Sequence, residues 1–169
     1  MIAAAISQDI IRERGPGGPL LIPKRRIIKR LKTTGLVIHR AEVFDPGAYH
    51  FIIQRDGKVK DNLPVDEKGA HSLEYNGQTI GIAIFGDFAA LEPGINHRPT
   101  DAQIKACITL MQKLNKMYGG NLWATGHSQL GPKGTSVRTK LLPGHTCPGE
   151  NFPLASVILK SGCKIFLTK

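Results

Sequence analysis

The sequence predicts an α/β (α+β) domain: one central mixed sheet flanked by helices. Three observations carry that reading. Short apolar, β-branched runs alternate with one long amphipathic segment, only one strong hairpin signal occurs, and glycine and proline gather in the connections. At 169 residues the chain is most simply a single domain able to bury a continuous core. Its 41% hydrophobic and 21% charged residues lie near the globular average, which argues against disorder over most of its length. No internal repeat or low-complexity tract is present.

Taken in order, residues 6–14 suggest a short helix and residues 24–33 a basic one, separated by the breaker-rich "GPGGPLLIP". "TGLVIHRAEVF" reads as a buried strand ending near His39. In "FDPGAYHFIIQRDGKVK" a turn leads into the strand "YHFIIQ", and "RDG" turns it into a hairpin with "KVKDN". If "YHFII" is a strand, alternation puts His50 on the face opposite Tyr49, and we read His50, with His97, as structural. "TIGIAIFGDF", almost without charge, belongs in the middle of the sheet.

The best helix is "PTDAQIKACITLMQKLNKMYGG". Pro99 and Thr100 mark its start, Asp101 complements the dipole and Gly119-Gly120 stop it. "NLWATGH" is a short strand ending at His127, Ser128 to Pro153 a long loop, and Leu154 to Phe166 a final helix or strand.

Three cysteines without a CxxC spacing argue against a disulfide framework and favour a reducing compartment. Cys107, on the apolar face of the long helix, reads as a core thiol. No apolar run of about eighteen residues is present to form a transmembrane helix. The N-terminus lacks the charged start of a secretory signal, so synthesis in the cytoplasm is expected, with release by other means if the protein acts outside.

The formal charge is +10, and residues 1–40 hold nine Lys/Arg against Asp9 and Glu13. Such a segment suits any polyanion, whether nucleic acid, anionic membrane or acidic wall polymer, and is equally compatible with a solvated helix face. No nucleic-acid motif or aromatic stacking pattern accompanies it, so a nucleic-acid partner is not expected.

His39, His127 and Cys147 fall at predicted strand ends or in the adjoining loop. Three protein ligands with an open fourth position are the pattern of catalytic zinc. The same residues also permit a blander reading in which "LLPGHTCPGENFP" is a turn with a polar histidine, His145, and a buried thiol. A cysteine nucleophile beside His127 or His145 is a further possibility, which a chelator would distinguish.

The blocks "YHFIIQRDGKV", "GAHSLEYNGQTIGIAIFGDF", "PTDAQI", "ATGHSQL" and "HTCPGENFP", in that order over about residues 36–153, resemble the N-acetylmuramoyl-L-alanine amidase type 2 family. That family includes phage lysozymes of the amidase kind and peptidoglycan recognition proteins. The resemblance implies a zinc (Zn2+) enzyme that cleaves the amide between N-acetylmuramic acid and the stem-peptide L-alanine of peptidoglycan. It implies His127 and Cys147 as the second and third ligands, and Tyr49 beside the metal, orienting water or the oxyanion. His71 and Asn76 are implied to line the substrate groove, although Asn76 is also suited to capping the turn before the strand.

His145 stands where many members have lysine, and a donor there would stabilise charge on the carbonyl oxygen. A histidine titrating near pH 6.5 should then give a sharper pH dependence than lysine. The resemblance implies a first ligand at the end of the first strand, as His39 in "LVIHRAE" would be. Yet only nine residues, Arg40 to Ala48, precede "YHF", where many members insert a helix. Either that helix is lost or moved forward, or His39 belongs to it and the first ligand is missing. Gly35 and "LVI" favour the strand.

The expected organisation is therefore a basic extension, 1–35, ahead of a catalytic domain, 36–169. The expected activity is that of a monomeric phage or prophage endolysin reaching the wall at host lysis, with the basic segment drawn to anionic envelope polymers. A peptidoglycan-binding module without a complete zinc site is the alternative.

Overall fold

The computed structural model describes residues 28–30, 32–42, 47–88, 97–133 and 146–166. A six-stranded sheet is formed by β1 (Gly35–Ala41), β2 (Phe51–Ile53), β3 (Val59–Asp61), β4 (Thr79–Phe85), β5 (Trp123–Gly126) and β6 (Lys164–Ile165). The strand order is β3-β2-β4-β1-β5-β6. Only β2 and β3 are antiparallel; β2–β4, β4–β1, β1–β5 and β5–β6 all run parallel. Helices α1 (Asp101–Met117) and α2 (Leu154–Ser161) and two 3-10 segments, Leu73–Tyr75 and His127–Lys133, complete the described elements. The mixed central sheet is as expected, and "TIGIAIF" lies inside it, between β2 and β1.

The two faces of the sheet differ because the central strands alternate in size. On one side Leu36, Ile38, Ile80, Ile82 and Ile84, all buried completely, pack with Cys107, Leu110, Met111 and Leu114 of α1 and with Val157 and Ile158 of α2. On the other side β4 offers Gly81 and Ala83, and Ala83 pairs in register with His39. The small residues leave room above the sheet for rings.

Helix α1 begins as the sequence indicates. Thr100 Oγ1 accepts a hydrogen bond from the Gln103 backbone N–H, and the Gln103 side-chain oxygen accepts one from the Thr100 backbone N–H, completing a capping box. The Gln103 amide also donates to Phe85 O at 2.9 Å and Ile53 O at 3.3 Å, joining the helix start to the ends of β4 and β2.

Two local expectations need correction, and a third falls outside the described residues. The proposed basic helix 24–33 is not helical in its described part: Lys29 bridges Glu67, with Arg30 N donating to Asp66 O and Lys68 N to Ile28 O. These backbone pairs draw the segment out alongside residues 66–68. The proposed helix 6–14 lies outside the described residues. Finally, β2 starts only at Phe51, so strand alternation does not separate Tyr49 from His50. Both rings lie near other histidines, Tyr49 at 5.0 Å from His39 and His50 at 5.5 Å from His71.

Candidate metal centre

The small-residue face carries the candidate ligands. His39 sits near the C-terminal end of β1 and is 1% exposed. Ile38 pairs with Gly126, the last residue of β5, so the next residue on each side is a histidine, His39 within β1 and His127 at the start of the 3-10 segment. The rings of His39 and His127 are 4.7 Å apart. His39 therefore belongs to a strand, and the helical reading that would have removed it from the site does not hold.

Cys147 arrives from the far side of the long connection and is pinned by one residue. Ser128 N donates to Cys147 O at 3.0 Å, and Cys147 N donates to Ser128 Oγ at 2.6 Å. This reciprocal pair holds the cysteine next to the residue that follows His127. Gln129 braces the same turn, its side-chain oxygen accepting from Thr125 Oγ1 at 2.9 Å and from Gly126 N at 3.3 Å. Neither Ser128 nor Gln129 was anticipated, although their place directly after a candidate ligand, in "GHSQ", was an available signal.

One ligand atom each from His39, His127 and Cys147 lies within 4.8 Å of the others, a group that could hold a metal ion. Cys147 Sγ is 3.8 Å from His39 Nδ1. Tetrahedral zinc with ordinary bond lengths would set such donors about 3.3–3.6 Å apart, so a small contraction fits this set to the ion.

His71 and Asn76 sit behind this group. His71 is 7% exposed, and its Nδ1 lies 3.1 Å from His39 Nε2 and 2.8 Å from Ser72 Oγ. Asn76 Oδ1 accepts from the backbone N–H of His71 at 2.8 Å and of Ser72 at 2.7 Å. It closes the turn before β4, the capping role also expected of it. His50 is structural: Gly81 N donates to its Nδ1, and its Nε2 pairs with Glu67 O, each at 2.9 Å. Tyr49 is half-buried, and its carbonyl accepts from Asn62 Nδ2 at 2.8 Å. His145 lies outside the described residues.

Burial governs the protonation of the group. It holds His39 well below the usual histidine pKa, and His127, His71 and His50 push the same way. His71 is also lowered, by burial first and then by His50, against an opposing backbone hydrogen bond to Thr79. Burial pushes the Cys147 thiol up to about 11, although the Arg40 backbone N–H and charge oppose it. Without a metal, Cys147 is a protonated thiol at neutral pH, which disfavours the cysteine-nucleophile reading.

A stability prediction follows from the histidines. Their folded pKa values lie below the unfolded value near 6.5, so the unfolded chain binds more protons as pH falls through that value. Stability contributed above it is progressively lost, with a limiting slope of about 1.4 kcal/mol per pH unit for each histidine. The melting temperature of chelator-treated protein should decline between pH 6.5 and 5. A flat profile from pH 7.5 to 5 would contradict the burial argument.

A separate groove of about 620 Å³ lies between α1 and the β2–β3 hairpin, lined in part by Phe51, Val59, Val65, Leu110 and Met117. It is largely apolar and is lined by none of the histidines.

Fold and site define a mixed-sheet protein with a His–His–Cys group suited to a metal. The chain belongs to the N-acetylmuramoyl-L-alanine amidase family, whose sequence profile it matches over residues 26–150. The match begins ahead of the expected domain start at Leu36. Its relatives include the endolysin of Klebsiella phage KP32, 32% identical over 96 residues that cover 56% of this chain and 62% of that protein. Peptidoglycan recognition protein 3 of Mus musculus is 33% identical over 85 residues, covering 49% and 23%. This chain therefore spans less than two thirds of either relative.

Similar solved structures include the N-acetylmuramoyl-L-alanine amidase LysC from Clostridium intestinale URNW, with a TM-score of 0.63 and 21% identity over 82% of this chain and 91% of that one. Drosophila PGRP-LB gives 0.61 and 16% over 85% and 91%. At such identities the likeness is one of fold.

Proposed function

We propose that this chain is a zinc-dependent amidase that hydrolyses the bond between the lactyl group of N-acetylmuramic acid and L-alanine of the peptidoglycan stem peptide, as a phage or prophage endolysin. The observation that carries the reading is the convergence of His39, His127 and Cys147 at the C-terminal ends of adjacent parallel strands. Their soft, nitrogen-rich donor set suits zinc.

When bound, zinc supplies a Lewis acid that polarises the scissile carbonyl and lowers the pKa of water to about 7. The chain does the rest. Tyr49, whose ring lies 5.0 Å from that of His39, orients the attacking water or the developing oxyanion. His145, two residues before Cys147, donates to the carbonyl oxygen as its charge grows. On this assignment activity falls as His145 loses its proton, and a flat rate between pH 5.5 and 8 would remove it from the mechanism. The basic residues before His39 attract the enzyme to anionic envelope polymers, an interaction that should weaken with salt; binding retained at 0.5 M salt would count against it.

The relative named as a recognition protein keeps the binding-module reading in second place. Purified peptidoglycan separates the two. New L-alanine amino termini that vanish with chelator and return with zinc support the amidase. Peptidoglycan binding without new amino termini, in zinc-loaded protein, would establish the module instead.

A further inference from the structure

We propose that His71 is a positioning residue for the metal site, accepting the Nε2–H of His39 and so holding the His39 ring with Nδ1 turned to the metal. This rests on the zinc reading above and gives His71 a different role from groove lining.

The argument starts from the two nitrogens of His39. Nδ1 faces Cys147 Sγ at 3.8 Å, so it is the nitrogen placed to join the ligand set. A coordinating nitrogen must have a free lone pair, which puts the ring proton of neutral His39 on Nε2. That nitrogen lies 3.1 Å from His71 Nδ1, which must then be the acceptor. Neutral His71 consequently carries its own proton on Nε2, a buried nitrogen, and the backbone hydrogen bond between the His71 ring and Thr79 favours a proton on that ring. The opposite tautomer of His71 would donate from Nδ1 toward Ser72 Oγ or His39 Nε2, but the latter bond would force the His39 proton onto the metal side.

The surroundings hold the His71 ring in place. Asn76 fixes the backbone on both sides of the side chain through its bonds to His71 N and Ser72 N. Below the ring is Gly81, where an added Cβ would lie 2.7 Å from His71 Cγ. Gly81 is itself anchored, donating to His50 Nδ1 and accepting from His50 N, both at 2.9 Å. The His39 and His71 rings meet edge to face, with centroids 5.1 Å apart. Partners of this kind to a ligand histidine commonly set metal affinity by ten- to a hundredfold.

The test compares zinc affinity, by chelator competition on the full chain, for wild type, His71→Leu and His71→Asn. Leucine removes the acceptor, while asparagine can offer an oxygen near the place of Nδ1. We expect zinc binding to weaken about ten- to a hundredfold in His71→Leu and to recover for the most part in His71→Asn. A merely structural role would lower the melting temperature of both variants without this order in affinity. Equal affinity in wild type and His71→Leu would overturn the proposal while leaving the metal reading intact; no zinc on wild type would defeat both.

If His71→Leu does not fold, long-range proton–nitrogen correlations on zinc-loaded wild type decide the matter. His39 protonated at Nε2 and coordinated through Nδ1 is the expected pattern, and coordination through Nε2 would refute it.

Discussion

The His39→Ala variant should lose its zinc and its hydrolytic activity together, with kcat/KM falling by at least about 10³-fold. His39 is one of three ligand-type residues in the group, and no other histidine or cysteine completes it among the described residues. The alanine also leaves space beside Tyr49 and His71, so a loss of activity alone could reflect disordered packing. Melting both proteins after chelator treatment separates the effects. A variant that melts within a few degrees of metal-free wild type, yet binds no zinc by elemental mass spectrometry, has lost a ligand. One zinc per chain with undiminished hydrolysis would exclude His39 from the site.

Gly126→Ala should produce the next largest loss, although Gly126 has no side chain to contribute. A Cβ there would lie 2.7 Å from Pro148 Cδ, 2.9 Å from Leu154 Cδ2 and 3.1 Å from Cys147 O. The methyl group would push the Cys147 segment away from the strand end that carries His127. A displacement approaching 1 Å typically costs about 10²-fold in rate, and overpacking of this kind about 1–3 kcal/mol in stability. Gly77→Ala is the control, because nothing lies within 4 Å of its added Cβ. If Gly126→Ala retained wild-type zinc affinity and kcat/KM, the close approach of the two segments would have no bearing on the metal.

Much of this site was legible in residue types and order. The strand beginning at Gly35, the run "TIGIAIF" and the capped helix at Thr100 follow from local chemistry, because each segment's alternation or capping signal agrees with its place in the fold. The ligand candidates were visible because two histidines fell at predicted strand ends and a cysteine in the adjoining loop, and the family resemblance singled out His127 and Cys147. Contacts across distant segments were not. The place of Ser128 beside His127 marks it, but nothing local names Cys147, nineteen residues away, as its partner, or puts His71 under His39. The basic segment misled for a related reason: its charge pattern suits a solvated helix, whereas the backbone of residues 66–68 pairs with its described residues 28–30.

The alternation along Thr79–Phe85 has a consequence for how this protein can vary. Ile80, Ile82 and Ile84 answer to the helices, whereas Gly81 and Ala83 answer to the rings over the opposite face. One strand thus carries two interleaved records. Substitutions at Ile80, Ile82 and Ile84 should register in the packing of the helices, and those at Gly81 and Ala83 in the packing of the rings. A lineage could therefore rewrite either packing within the same seven residues, largely without one text overwriting the other.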